Sequence, residues 1–150
     1  MSTVISHVRD EINKLLETCH DGEAGFRAAG EAISTPAIKA EMMQYSRQRS
    51  EFVTELEKAV AELGESPASE GSVAGALHRG WIHLIKSVGS SDHAVLSSCE
   101  RGEDAAVAAY RAAPNAAQPG KAGALVASQF QAVKRTHDRI KLLRDANEKN

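Results

Sequence analysis

The sequence predicts an all-α domain, an antiparallel four-helix bundle assembled from two similar helical hairpins. Three observations carry this. Apolar residues recur at spacings of three and four along four long segments. Aromatic residues make up only 4% while alanine is abundant, a composition that favours helices and their close approach over a β-sandwich. Pro, Gly and Ser punctuate the chain where those segments end.

The first segment, Ser2 to Ile33, carries one stripe: Ile5, Val8, Ile12, Leu15, Cys19, Gly22, Phe26, Ala29 and Ile33. As a helix it would be roughly 45 Å long. Ser34-Thr35-Pro36 then breaks the pattern, with Thr35 placed to cap a new helix and Pro36 suited to its first turn. The second helix runs to about Leu63 and stops at Gly64. Its stripe is Ile38, Met42, Tyr45, Phe52, Leu56, Ala59 and Leu63, with a gap at Arg49. The short connection makes these two helices antiparallel neighbours.

Glu65 to Gly71 is a Ser/Pro/Gly-rich loop. Ser72 can cap a short helix, Val73 to Val88, with Leu77, Trp81, Leu84 and Val88 on one face. Gly89-Ser90-Ser91-Asp92 leads into a helix from about His93 to Ala113, striped by Leu96, Cys99, Glu103, Ala106, Tyr110 and Ala113. After the loop Pro114 to Gly120, the last helix, about Lys121 to Ala146, shows Val126, Phe130, Val133, His137 and Ile140. The connection holding the short helix is long enough to cross the bundle from end to end, the arrangement of ferritin-like bundles.

The halves repeat. Cys19-His20-Asp21-Gly22-Glu23 recurs as Cys99-Glu100-Arg101-Gly102-Glu103, the pattern C-x-x-G-E at an offset of 80 residues. In the partner helices, a two-residue match pairs Arg49-Ser50 with Arg135-Thr136, whereas aligned apolar stripes pair Arg49 with His137. The stripes are the better guide, because packing periodicity is physical.

Bulk properties limit the function classes. A chain of 150 residues fits one domain, 1–150, with a real core. A net charge of −2 gives no broad pull toward nucleic acid or an anionic membrane. No apolar run approaches the roughly 20 residues of a membrane span, and the start lacks a secretory pattern, so the expected location is cytoplasmic. Two cysteines do not make a disulfide framework.

Glu103 is the most informative residue. It falls on a core stripe, where a carboxylate is costly unless paired, hydrogen-bonded or metal-bound. Glu23 is its repeat equivalent. The glycine before each acid leaves room for another group to approach. His137 falls on the stripe of the last helix. Against a ferritin-like di-metal template, Glu23 and Glu103 fit the two single acids and His137 fits one histidine. Lys134 stands where the Glu preceding that histidine belongs, and Arg49 adds charge where a dication would sit. An intact di-metal centre is therefore not expected. Glu23, Glu103 and His137 remain a candidate set for one transition metal, such as iron, manganese or zinc. The structural alternative is that Arg49, Lys134 or a tyrosine hydroxyl satisfies the core acids. Cys19 and Cys99 are either small core residues or a redox pair near the pseudo-axis. In the string Ser72 to Trp81, Trp81 is an expected anchor, and His78 would face solvent or a partner.

The strings S-V-A-G-A-L-H-R-G-W and C-E-R-G-E-D, with D-G-E-A-G-F in the first helix, resemble a bacterial family of uncharacterised ferritin-like four-helix-bundle proteins. The resemblance implies the ferritin-like fold and the helix order above. It brings no activity, and whether the chain is an enzyme stays open. The first expectation is a ferritin-like protein with a degenerate or absent di-metal site, in a stress-related or accessory role by family analogy. The rivals are a helical interaction module, with a homodimer as one form, and a thiol redox role.

Overall fold

Helices form where the stripes place them. The computed structural model describes residues 2–64, 91–113 and 121–148, with side chains for 7–64, 91–113 and 122–148. The helices are α1 (Ser2–Ala32), α2 (Pro36–Glu62), α3 (Asp92–Ala112) and α4 (Lys121–Ala146). The short helix expected after Ser72, with His78 and Trp81, lies outside the described residues. No described helix is long and apolar enough to cross a membrane.

The neighbours around the bundle are α1–α2, α1–α3, α3–α4 and α2–α4. This leaves α2 and α3 facing each other across one diagonal. Cross-links give the directions. Cys19 meets Tyr110 while Ser34 meets Asp92, so α1 and α3 are antiparallel. Glu55 meets Gln129 while Glu41 meets Arg139, so α2 and α4 are antiparallel as well. It follows that α2 ends at one end of the bundle and α3 begins at the other, the crossover topology.

The helix ends explain the turn. Pro36 occupies the first turn of α2, as expected. Thr35 does not cap α2 with its side chain. Its hydroxyl donates instead to Asp92 Oδ2, and its backbone N–H reaches the same oxygen at 3.1 Å. Ser34 donates to Asp92 Oδ1 from its N–H at 2.8 Å and its hydroxyl at 3.0 Å. One carboxylate thus ties the α1–α2 turn to the start of α3. Lys39 donates to the Gly30 carbonyl and satisfies an open acceptor near the end of α1. Ser91 caps α3 by accepting from the Ala94 N–H at 3.1 Å. Gly64, at φ +78°, follows α2 in the left-handed region that glycine takes without strain.

The stripes of α1, from Ile12 onward, and of α3 are buried as expected. Those of α2 and α4 are rotated by one residue over part of their length. Ser46, Val53 and Val60 are buried where Tyr45, Phe52 and Ala59 were expected. Gln129 and Thr136 are buried where Phe130 and His137 were expected. Buried positions Met42, Ser46, Arg49, Val53 and Leu56 match Gln129, Val133, Thr136, Ile140 and Leu143 at a constant offset of 87. Arg49 therefore corresponds to Thr136, not to His137 or Arg135.

Asp92 is 4% exposed. Its burial opposes ionisation, but the bonds from Ser34 and Thr35 outweigh this and hold its carboxyl below its ordinary range. A lowered folded value means the clamp contributes fully above the unfolded carboxylate range and is lost as pH falls through the folded value. Asp92→Ala should cost on the order of 2–3 kcal/mol in urea unfolding at neutral pH. The deficit relative to wild type should shrink as the pH is lowered below about 4.

Candidate functional site

The apolar core is split into two clusters along the bundle axis. One holds Cys19, Val53, Ala106 and Val133, and the other holds Phe26, Met42, Cys99 and Ile140. Between them each helix contributes one residue to a waist: Gly22, Arg49, Glu103 and Thr136. All but Gly22 are polar, and all four are buried.

Arg49 reaches across the diagonal from α2 to α3. Its Nη1 donates to Glu103 Oε1 at 2.7 Å and its Nη2 to Oε2 at 2.6 Å. Both side chains are 0% exposed. The third nitrogen, Nε, donates to Gln48 Oε1 at 3.2 Å, and the guanidinium lies 5.3 Å from the centre of the Phe26 ring. Burial by itself would lower the Arg49 pKa, but the charge and hydrogen bonds of Glu103 outweigh it and hold it above its ordinary value. The planar fork matches the carboxylate bidentately, a geometry lysine cannot supply.

Gly22 makes the room. A Cβ there would lie 3.0 Å from Arg49 Nη1 and 3.1 Å from its Cγ. The glycine of the first C-x-x-G-E therefore admits the arginine that satisfies the acid of the second.

The other half of the pseudo-twofold carries no such pair. Its position equivalent to Arg49 is Thr136, whose hydroxyl bonds back to the Ala132 carbonyl at 3.0 Å. Glu23 therefore has no internal cation. It turns outward, 25% exposed, and pairs with Arg27 at 2.8 Å.

The candidate metal set is not assembled. Glu103 commits both oxygens to Arg49, and Glu23 points to Arg27. His137 lies at the edge of the bundle, 23% exposed, between Asp104 at 2.6 Å and Asp138 at 3.2 Å. Burial there is outweighed by those two carboxylates, which raise the imidazole above its ordinary value. Among the described residues, no group of three or more His, Cys, Asp or Glu could hold a metal ion. Lys134 satisfies no core acid either. It is exposed, with its ammonium 5.4 Å from the centre of the Phe130 ring.

Cys19 and Cys99 are free, buried thiols in different clusters. Cys19 lies 3.1 Å from the Tyr110 hydroxyl. The two clusters lie on opposite sides of the Arg49–Glu103 pair. The two thiols therefore do not meet at a pseudo-axis. Burial pushes the Cys19 thiol up to about 11, against the pull of Arg49. Burial raises the Cys99 thiol as well, with the Glu103 charge adding to it.

A second polar chain was not foreseen from sequence. The Tyr110 hydroxyl donates to Gln129 Oε1 at 2.6 Å, so its oxygen accepts from the Cys19 thiol. Gln129 Nε2 in turn donates to Glu55 Oε1 at 3.0 Å, at the surface. A glutamine one step from an apolar stripe was the only available signal. Asp21 also escaped notice. Its Oδ1 is buried without a partner, and burial, together with Glu17, pushes its carboxyl up to about 7.

A family model described as a domain of unknown function, DUF2383, matches residues 7–116. The chain belongs to that family. The matched span includes Gly22, Arg49 and Glu103, so the waist of this DUF2383 chain falls largely inside it. No curated protein matches the sequence. Among solved structures, a mutant of Mycobacterium smegmatis Dps1 superposes with a TM-score of 0.82, covering 96% of this chain and 99% of that one at 15% identity. This shows the fold, a ferritin-like helical bundle of the Dps kind.

Two outcomes follow for the waist. Gly22→Ala gains helix propensity of about 1 kcal/mol, yet it should be net destabilising because Glu103 pins the arginine the new methyl would press. In an Arg49→Met, Glu103→Leu background the same change should become stabilising, and urea unfolding of the four proteins measures the reversal. Separately, both thiols should resist a thiol-reactive dye in the native state and react at the rate of global unfolding.

Proposed function

We propose that this protein is a non-enzymatic ferritin-like module that acts through its surfaces, as an interaction or scaffold unit. The observation that carries this reading is the Arg49–Glu103 pair. It occupies the core position where a ferritin-like template would put a metal-ligating acid. A carboxylate with both oxygens held by a buried guanidinium is a poor metal ligand. Recruiting it would leave the arginine charge unpaired in the core, at a cost of about 3–5 kcal/mol. The pairing of Glu23 with Arg27 and of His137 with Asp104 and Asp138 supports the same reading. So does the burial of both thiols, which disfavours a redox role.

The partner class this reading favours is another helical protein surface, with a second copy of the chain as the first to test. Untagged wild-type protein should contain no stoichiometric iron, manganese or zinc. Its melting temperature should not rise when these ions are added. Light scattering should report a self-associated species or capture of a protein partner. A stoichiometric metal that is lost with the native fold would overturn the proposal.

A further inference from the structure

We infer that His137 is a pH-dependent clasp between α3 and α4, closed while its ring is an imidazolium and released when the ring loses a proton. This goes beyond the interaction reading and does not depend on it.

Both ring nitrogens face carboxylates. Nε2 lies 2.6 Å from Asp104 Oδ1 on α3, and Nδ1 lies 3.2 Å from Asp138 Oδ1 on α4 itself. A carboxylate offers only acceptors, so each nitrogen must bring a proton. A neutral imidazole has one N–H and cannot make both bonds. On losing a proton the ring keeps one bond and turns a lone pair toward the other carboxylate, which repels it.

Among the described residues, two charged pairs join α4 to α3: Arg144 with Glu100 at 2.5 Å, and His137 with Asp104. The arginine pair keeps its cation throughout the physiological range, whereas a histidine titrates within it. The remaining charges on this seam are Arg101 and Arg111 of α3 and Lys134 and Lys141 of α4, all exposed. Burial is the largest effect against an imidazolium here, and the lysines, one turn to either side of the ring, act in the same sense. The two aspartates in contact with the ring outweigh them and hold it above its ordinary value. The clasp therefore contributes fully below the unfolded histidine value of about 6.5 and is lost as pH rises through the folded value. The ring is 23% exposed, so it exchanges its proton with solvent while the bundle stays folded.

The test uses the full chain and NMR. The His137 ring should titrate above about 6.5, the midpoint of a histidine in an unstructured peptide, with both nitrogens protonated on the acid side. Asp104→Asn and Asp138→Asn should each lower that midpoint, and the double variant should lower it further. Amide protection around Asp104 and His137, corrected for intrinsic exchange, should fall by about threefold between about pH 6 and about pH 8.5. His137→Gln should show the lower protection at both pH values. Asp21 on α1 titrates in the same window but is common to both proteins, so the difference between them isolates the ring. A His137 midpoint at or below about 6.5 would overturn the proposal, as would one unmoved by the double aspartate substitution. Equal pH dependence of protection in wild type and His137→Gln would do the same.

Discussion

A bidentate ion pair buried across the diagonal of the bundle sets the terms for what surrounds it. Arg49 and Glu103 belong to helices whose described backbones come no closer than 8 Å between Cα atoms, so the space between them must stay open to the guanidinium and closed to water. Gly22 supplies the opening. Phe26 supplies a ring face, and the apolar clusters on either side seal it. Removing two charges from water is expensive, and such a pair adds little net stability over a well-packed apolar substitute. What it adds is selectivity. Only one relative placement of the two hairpins brings both oxygens onto both nitrogens.

The fold is a ferritin-like bundle whose interior holds this ion pair. A ferritin-like bundle with a crossover between its second and third helices brings acids and bases from separate helices into one layer. Here that layer is neutralised within the protein. The pseudo-twofold makes the point sharper, because the equivalent positions have diverged. One half keeps an acid and meets an arginine. The other keeps its acid, has a threonine at the arginine's place, and turns the acid to the surface.

Much of this was legible in the sequence, and the failures share one cause. The α1 and α3 stripes could be read because nearly every core position there is apolar, and Glu103 stood out against them. In α2 and α4 the core positions Ser46, Arg49, Gln129 and Thr136 are polar, each with a partner that sequence does not display. Choosing the larger apolar or aromatic neighbour at each turn placed Tyr45, Phe52, Phe130 and His137 inside and shifted the register. That shift misplaced His137, and with it the third member of the candidate metal set. Lys134 was misread for the same reason. The Asp92 clamp was invisible because it depends on two segments 57 and 58 residues apart.

The ion pair also bears on the chain before the halves dock. Each hairpin can form from contacts close in sequence, while the waist and the Asp92 clamp join only when the halves meet. Until then, α2 offers an apolar face interrupted by an arginine and α3 one interrupted by a glutamate. A charge in the middle of a sticky face acts as a gatekeeper, because burying it against the wrong surface leaves it unpaired. The residues that fix the final register thus also discourage the half-folded chain from aggregating.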